Sequence, residues 1–400
     1  MLSRVILRRF KAAFKPSPIP LRGFNMIIGR NGSGKSTLLE ALQWLDTTMR
    51  RDAREACDRY HGIGDLVNLR SQSPVLDFEL EMNWGWEQVG STGFRYRLKA
   101  QEDAKGTARV AEEELVSQRF RTDGRWRKLK EFITTTDAGE RRIGVNGAAT
   151  ALTMKETDRL ALAWIENIQD TGSGESPRFL VDFWQRAVFL RLSPNRLTEG
   201  SPATRRSFEP LLDEEGQTLP ALLEELDDAR RKALVEAIRD ILPGIRDVAV
   251  SKAEFGRDTR VHYNLLEEMP YRGRAGKKEF PIPAWMLSEG TRRITAILAL
   301  LERDPPPSIL CIEEIENGLD PWTVRVVLQR LQAAVGRGTQ VIVSTHSPWV
   351  LDDVPMESIL LVRRHKGDTQ YKHFASLPEV QEFADSVPAG TRYVHLNEEI

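Results

Sequence analysis

The sequence contains few cysteines and no long apolar run, and its charges nearly cancel. Only two cysteines, Cys57 and Cys311, occur in 400 residues. They lie far apart, so we expect reduced, buried thiols rather than a disulfide or a metal-binding pair. The 57 basic residues are balanced by 58 acidic ones. This balance excludes a uniformly basic nucleic-acid-binding protein and leaves only local patches.

No apolar run approaches the roughly 18 residues of a membrane span. The N-terminus also lacks the apolar segment of a signal peptide. We therefore expect a cytoplasmic protein with no membrane partner. With 40% hydrophobic residues in 400, the chain can bury a substantial core in more than one domain.

A complete phosphate-binding pattern, G-x-x-x-x-G-K-[ST], occurs near the start of the chain. It follows a predicted strand, Gly23 to Ile28, and precedes a predicted helix, Ser36 to Arg51, which is the context that the motif requires. Lys35 is expected to reach the β- and γ-phosphates, and Ser36 to offer a hydroxyl to Mg²⁺. A glycine-rich turn before a helix is the alternative. The predicted nucleotide-binding residues are Gly29, Arg30, Asn31, Gly32, Ser33, Gly34, Lys35, Ser36 and Thr37.

A short apolar run, Ile309 to Ile312, is followed by two carboxylates, Glu313 and Glu314. Such a run predicts a buried parallel strand, and ligands of open α/β sheets bind at the carboxyl ends of strands. One carboxylate can hold Mg²⁺ through water while the other orients an attacking water. Apolar strands that end in Glu-Glu are common, so the pattern gains its weight from the other motifs.

Two further motifs follow the same logic. Ser288 and Gly290 begin a predicted helix, where amides and a hydroxyl can bind phosphate; an ordinary serine N-cap is the alternative. Two such phosphate-binding ends in one chain suggest that two chains share two nucleotides. His346 follows a predicted buried strand, Gln340 to Ser344. There it can hydrogen-bond a γ-phosphate, or it can be a structural histidine.

Residues 74–146 are predicted to form an antiparallel β subdomain with a hairpin turn at Asp123-Gly124. This hairpin carries a basic patch with one interleaved tryptophan, Trp126. The patch can follow a phosphate backbone, but we favour a solvated hairpin face whose tryptophan packs on the sheet. The basic members of the patch are Arg119, Arg121, Arg125, Arg127, Lys128 and Lys130.

The rest of the chain gives a helix at Thr153 to Ile168, a strand within Phe179 to Leu192, and a helix or helix pair at Leu219 to Leu242. A closing β hairpin is expected between Ile359 and Phe374. The basic segment Tyr271 to Lys278 is predicted to be a surface loop. We expect four parts: an ATPase lobe at 1–73, an inserted β subdomain at 74–146, a helical and mixed insertion at 147–278, and a second ATPase lobe at 279–400.

Four motifs stand in order: GRNGSGKST, LSEGT, ILCIEEIENGLDP and VIVSTHSP. Together they resemble the ABC-type ATPases of the SMC/RecF/OLD branch, which often occur in bacterial anti-phage defence operons. The resemblance covers about 1–90 and 280–365. It implies an α/β P-loop NTPase fold of the ABC type, a mixed sheet flanked by helices, with an inserted antiparallel β and helical lobe.

By motif position, the resemblance assigns ATP and Mg²⁺ as cofactors. Ser36 and Glu313 would hold the metal, and Glu314, His346 and Lys35 would be catalytic. Ser288 and Gly290 would contact the γ-phosphate bound by a partner subunit, with Asp320 as the acid of the loop after Glu314. Two departures occur: Glu313 replaces the usual Asp, and Glu289 replaces a small residue. The family's glutamine ligand has two candidates, Gln72 and Gln185.

The resemblance implies an ATP-hydrolysing switch that dimerises head to tail around ATP·Mg²⁺. It would control a nucleic-acid transaction or a partner effector, in DNA repair or phage defence. The expected partners are a second copy of the chain or a higher oligomer, an effector protein from a neighbouring gene, and DNA or RNA. A scaffold that sequesters and releases a toxic effector is the alternative; the ATPase subunit of a transporter is less favoured.

Overall fold

The computed structural model describes residues 1–144, 152–167, 176–202, 209–255, 258–269, 278–384 and 386–396. In these parts no helix is both long and apolar enough to cross a membrane. The chain divides into two compact units. The first comprises Met1–Gln185, Met356–Asp385 and His395–Ile400, and the second comprises Arg186–Pro355 and Ser386–Val394.

Within the described residues the strands are β1 (Leu2–Arg8), β2 (Ser17–Pro20), β3 (Phe24–Ile28), β4 (Asp77–Trp84), β5 (Thr92–Glu102), β6 (Ala108–Phe120), β7 (Trp126–Thr135), β8 (Arg141–Ile143), β9 (Leu152–Met154), β10 (Ala187–Leu190), β11 (Ser201–Pro202), β12 (Ile245–Phe255), β13 (Asp258–Glu268), β14 (Glu279–Pro283), β15 (Ile309–Ile312), β16 (Gln340–Ser344), β17 (Ile359–His365) and β18 (Asp368–His373). The α-helices are α1 (Lys35–Arg50), α2 (Ala53–Asp58), α3 (Arg178–Gln185), α4 (Leu219–Glu224), α5 (Asp228–Arg239), α6 (Glu289–Leu301), α7 (Pro321–Val335), α8 (Pro378–Gln381) and α9 (Ala389–His395).

The first unit contains an eight-stranded antiparallel sheet in the order β2-β1-β4-β5-β6-β7-β8-β9. In β4 the alternate residues Phe78, Leu80 and Met82 are buried, because successive side chains of a strand point to opposite faces. Trp44 of α1 meets the Phe78 ring edge to face, with centroids 5.0 Å apart. Helix α1 therefore packs on the buried face of this sheet.

Three further strands of the first unit lie beside the loop that precedes α1. Strand β3 is buried at every residue and pairs in parallel with β17, and β17 pairs antiparallel with β18. Chain continuity places the end of β3 directly before the phosphate-binding motif. The closing hairpin predicted between Ile359 and Phe374 is confirmed as β17 and β18.

The second unit contains three parallel strands in the order β10-β15-β16. All three are buried at every residue, as continuous apolar runs predict. The strands β11, β12, β13 and β14 of this unit pair antiparallel, with β13 bonded to the other three. Leu219 to Leu242, predicted as one helix or a pair, form the pair α4 and α5. Asp227 caps α5 by accepting a hydrogen bond from the Arg230 amide.

The prediction of a helix at Thr153 to Ile168 is wrong. Leu152–Met154 form β9, which pairs with β8, and a 3₁₀ helix occupies Ala161–Asn167. The buried Glu113 carboxylate accepts hydrogen bonds of 2.8 Å from the amides of Ala161 and Leu162. The Glu113 carboxylate of β6 thus binds the first amides of this 3₁₀ helix. Such a long-range contact cannot be predicted from the spacing of apolar residues. Residues 271–277 of the basic loop lie outside the described residues.

A buried carboxylate in the second half of α1 gives the fold a measurable pH dependence. Burial raises the pKa of Asp46 from 3.8 to about 6, although Arg50 and Arg59 oppose the rise. The Asp46 carboxylate accepts from Arg50 Nε at 3.0 and 2.9 Å. Because the folded-state pKa exceeds the unfolded value, folding takes up a proton between these pH values. The corresponding stability is present below about pH 4 and is lost as pH rises through about 6.

We expect Asp46→Asn to flatten the fall in unfolding free energy between about pH 4 and pH 6, the window set by these two pKa values. Denaturant titrations at several pH values measure this slope. Asp58→Asn, at an exposed position of α2, is the matched control and should leave the slope unchanged. An Asp46→Asn slope equal to that of the wild type would contradict the assignment.

Candidate functional site

The phosphate-binding motif forms a loop closed by its own lysine. Lys35 is buried, and its Nζ donates hydrogen bonds to the carbonyls of Gly29 at 2.8 Å and Arg30 at 3.0 Å. Helix α1 begins at this lysine, and its N-cap, Gly34, provides no side-chain cap. The helix N-terminus is therefore available to an anionic ligand.

Two glycines of the loop are required by their surroundings. Gly34 has φ 102°, and a Cβ there would lie 2.6 Å from Thr369 Oγ1. A Cβ on Gly29 would collide with the Val362 carbonyl oxygen. Only residues without a Cβ let the loop approach β17 and β18 this closely. The two glycines fix the loop against those strands.

Two residues of β18 hold the loop through hydrogen bonds. Thr369 Oγ1 donates to the Ser33 carbonyl at 2.9 Å. The Tyr371 hydroxyl donates to the Gly34 carbonyl at 2.5 Å and accepts from the Leu38 amide at 3.2 Å. Burial raises the pKa of Tyr371, which keeps the phenol protonated as a donor. Sequence reasoning missed both residues, and the available signal was their i, i+2 spacing on a strand.

The loop fits a phosphate group. The Ser33 hydroxyl is buried and has no hydrogen-bond partner among the described residues. Gly32 has φ 73°, and a Cβ there would meet nothing within 4 Å. A hydroxyl without a partner, an open glycine face and a helix N-terminus together suit the oxygens of a bound phosphate.

The acidic motif of the second unit brings Glu314 and His346 together. Glu314 has φ 50°, a left-handed conformation that is unusual for a residue with a side chain. Its amide donates to Ser344 Oγ at 3.0 Å, and its Oε2 accepts from Asn317 Nδ2. His346 Nε2 lies 3.5 Å from Glu314 Oε1. The strained backbone thus places this carboxylate beside the histidine.

The turn at Ser288 packs on the loop that follows Glu314, within the same unit. A Cβ on Gly290 would lie 2.6 Å from the Gly318 carbonyl oxygen. Glu289 pairs with Arg293 at 3.7 Å, and Arg293 is only 4% exposed. Burial lowers the pKa of Arg293, although Glu289, Glu314 and Glu316 oppose the shift. The negative charge of Glu289, which stands where the resemblance implies a small residue, is therefore paired with the neighbouring Arg293.

Ser288 and Asp320 are both helix N-caps in this structure. Ser288 Oγ accepts from the Thr291 amide at 3.1 Å and begins α6. Asp320 accepts from the amides of Trp322 at 3.0 Å and Thr323 at 3.1 Å and begins α7. The Thr323 hydroxyl bond lowers the pKa of Asp320. Capping accounts for both residues locally, and their contacts with a nucleotide stay predictions.

The candidate metal ligands of this chain are single oxygen donors. Among the described residues, no group of three or more His, Cys, Asp or Glu side chains is arranged to hold one. The oxygen donors expected from the sequence are Ser36 in the first unit and Glu313 in the second. Each is an oxygen donor of the kind that Mg²⁺ binds, since Mg²⁺ commonly takes one or two protein oxygens together with water and substrate phosphates. Their binding of Mg²⁺ stays a prediction.

The hairpin between β6 and β7 has the packing that we favoured. Trp126 carbons lie 3.2 Å and 3.0 Å from where a Cβ of Gly85 or Gly93 would be, and the ring meets Phe120 edge to face at 5.2 Å. The tryptophan therefore packs on a glycine surface of the sheet. The surrounding arginines are exposed, and a nucleic-acid role for them stays a prediction.

Solved structures with the same fold include heads of SMC proteins. The SMC head bound to the C-terminal winged-helix domain of ScpA is 16% identical, with a TM-score of 0.53 and coverage of 93% of this chain and 96% of that one. The SMC head with a coiled coil and joint from Pyrococcus yayanosii is 11% identical, with a TM-score of 0.50 and coverage of 93% and 96%. At these identities the likeness shows the fold alone.

Fold and motifs define an ABC-type P-loop ATPase domain of the SMC/RecF-like class. The family described as "AAA domain, putative AbiEii toxin, Type IV TA system" (AAA_21) matches residues 24–352. The chain belongs to this family. No curated protein matches the sequence.

The Tyr371 hydroxyl provides a direct test of the loop. We expect Tyr371→Phe to weaken ATP binding about 2- to 12-fold, because one buried hydrogen bond to the loop contributes about 0.5–1.5 kcal/mol. The Gly34 carbonyl keeps its hydrogen bond from the Thr37 amide at 3.1 Å. Calorimetric titration with ATP measures the affinity. Tyr263→Phe is the control, since that buried hydroxyl has no hydrogen-bond partner among the described residues. Equal affinities for Tyr371→Phe and wild type would show that the loop is ordered without this bond.

Proposed function

We propose that the chain is an ATP-hydrolysing switch. The observation that carries the proposal is Glu314: a left-handed backbone holds its carboxylate beside His346, at the end of a buried parallel strand. The complete phosphate-binding loop and the family membership support it. A carboxylate in this conformation costs stability, which is expected where a side chain must be aimed at a reacting group.

Each residue has a role in this proposal. The loop amides and Lys35 bind the β- and γ-phosphates, which replace the Gly29 and Arg30 carbonyls as partners of the lysine. Ser36 and Glu313 would hold Mg²⁺. Bound Mg²⁺ would neutralise charge on the phosphates. Glu314 orients the attacking water and accepts its proton, and His346 hydrogen-bonds the γ-phosphate.

The proposed switch needs two copies of the chain. Ser288 and Gly290 of one copy would contact the γ-phosphate held by the other, head to tail across a two-fold axis. Hydrolysis then removes charge-assisted hydrogen bonds from the interface and releases the copies. Higher oligomers built from such dimers are compatible with the same contacts. One of the similar SMC heads is bound to a domain of the protein ScpA, which supports a protein partner here.

The output that we propose is control of a partner effector or of a nucleic-acid transaction, in DNA repair or phage defence. The family description names a putative toxin of a Type IV TA system, which supports a role of this chain in a system of that kind. A scaffold that sequesters and releases a toxic effector is the second candidate, and it fits the same switch. ATP and Mg²⁺ are its cofactors in either case.

Substitution of the proposed general base tests the hydrolytic step. We expect Glu314→Gln to lower ATP hydrolysis about 100-fold or more, because proton acceptance contributes about that factor, while ATP still binds. Phosphate release and calorimetric binding are measured on the same sample. Glu236→Gln, at an exposed position of α5, is the control. If Glu314→Gln hydrolyses ATP at the wild-type rate, Glu314 is not the general base.

The output is tested by partner capture. Tagged Glu314→Gln protein is recovered from its own cells with ATP, before and after nuclease treatment, and across a salt series. A protein that stays bound after nuclease treatment supports the effector version. Bound nucleic acid that dissociates steeply with salt supports the nucleic-acid version, because phosphate contacts release counterions. Recovery of neither would contradict both.

A further inference from the structure

An arginine, Arg191, directly follows strand β10 and lies next to Glu313, which directly follows the neighbouring strand β15. Strands β10 and β15 are parallel, and their register pairs Leu190 with Ile312. The ladder continues one step further, since the Glu313 amide donates to the Leu190 carbonyl at 3.0 Å. Arg191 and Glu313 are therefore lateral neighbours, each one residue past the end of its strand.

The side chains of these two neighbours form an ion pair. Arg191 Nε lies 3.9 Å from Glu313 Oε2, with the arginine side chain 77% exposed and the glutamate side chain 22% exposed. Both residues line a cavity of about 650 Å³ in the second unit, together with Glu314 and Arg293. A cation thus already lies beside the carboxylate that we assign to Mg²⁺.

The backbone of Arg191 is fixed although its side chain is exposed. Its amide donates to the Glu214 carbonyl at 2.9 Å, and the Ser193 amide donates to the Glu215 carbonyl at 3.1 Å. The segment at 214–215 therefore continues the pairing beyond β10. The guanidinium is held within reach of Glu313 but is open to water, which allows it to leave when another cation arrives.

We propose that Arg191 is a counter-cation that Mg²⁺ must displace from Glu313, so that this arginine sets the Mg²⁺ concentration at which nucleotide binds. The inference rests on the proposed function. An exposed pair is worth about 0.2–1 kcal/mol, so a divalent cation that is also bound to phosphates displaces it readily. The longer glutamate at this position reaches both cations, and the arginine competes for the same oxygens.

Removal of the competitor should lower the Mg²⁺ requirement. We expect Arg191→Ala to lower the half-saturating Mg²⁺ concentration for binding of a non-hydrolysable ATP analogue about 2- to 5-fold, the range that corresponds to an exposed ion pair. Calorimetric titrations with the analogue at constant ionic strength, over a series of Mg²⁺ concentrations and in EDTA, measure it. ATP hydrolysis as a function of Mg²⁺ is the second readout.

Two variants sharpen the test. Arg191→Lys keeps the charge and should keep the wild-type Mg²⁺ requirement. Arg8→Ala removes an arginine that pairs at 3.6 Å with Glu79, whose side chain is 23% exposed and so is buried to the same degree as Glu313. This variant controls for the change in net charge. An unchanged Mg²⁺ requirement in Arg191→Ala would overturn the inference, as would a loss of analogue affinity in EDTA, since the arginine would then be a phosphate ligand. Failure of wild-type protein to bind the analogue at all would instead refute the proposed function.

Discussion

Close backbone approach at glycines is the constraint on which both motif-bearing units depend. In the first unit, Gly29 and Gly34 let the phosphate-binding loop lie against β17 and β18, where any Cβ would collide. In the second, Gly290 lets the turn at the start of α6 lie against the Gly318 carbonyl. Each motif is thereby fixed to a second segment of its own unit, so that polar groups can be aimed without long side chains.

Electrostatics in the second unit is built around carboxylates with nearby arginines. Glu313 pairs with Arg191, and Glu289 pairs with Arg293. Glu314 has a histidine and an amide as its partners instead. This difference separates the two adjacent glutamates: Glu313 lies beside an exposed arginine, and Glu314 lies beside groups that orient it. We propose that this difference separates metal binding by Glu313 from water activation by Glu314.

The sequence predicted well those strands and helices that coincide with a continuous apolar run or lie next to a complete motif. Strand β16 was predicted to the residue, and α1 begins and ends one residue before the predicted bounds. What depends on distant partners escaped prediction. Thr369 meets Ser33 from 336 positions away, Ser344 supports the Glu314 backbone, and Glu113 starts the turn at Ala161. A carboxylate or hydroxyl that forms a long-range hydrogen bond does not change the hydrophobic pattern of its own segment, so the pattern cannot predict the bond.

The central claim is that ATP holds two copies of this chain together until it is hydrolysed. Light scattering of the Glu314→Gln protein, with ATP·Mg²⁺ and without nucleotide, tests it most directly, with Lys35→Ala as the variant whose phosphate-binding loop is disabled. The account predicts a doubled mass only when ATP is present and Lys35 is intact. A mass that stays that of one chain while ATP is bound, or that is doubled regardless of nucleotide, would contradict it.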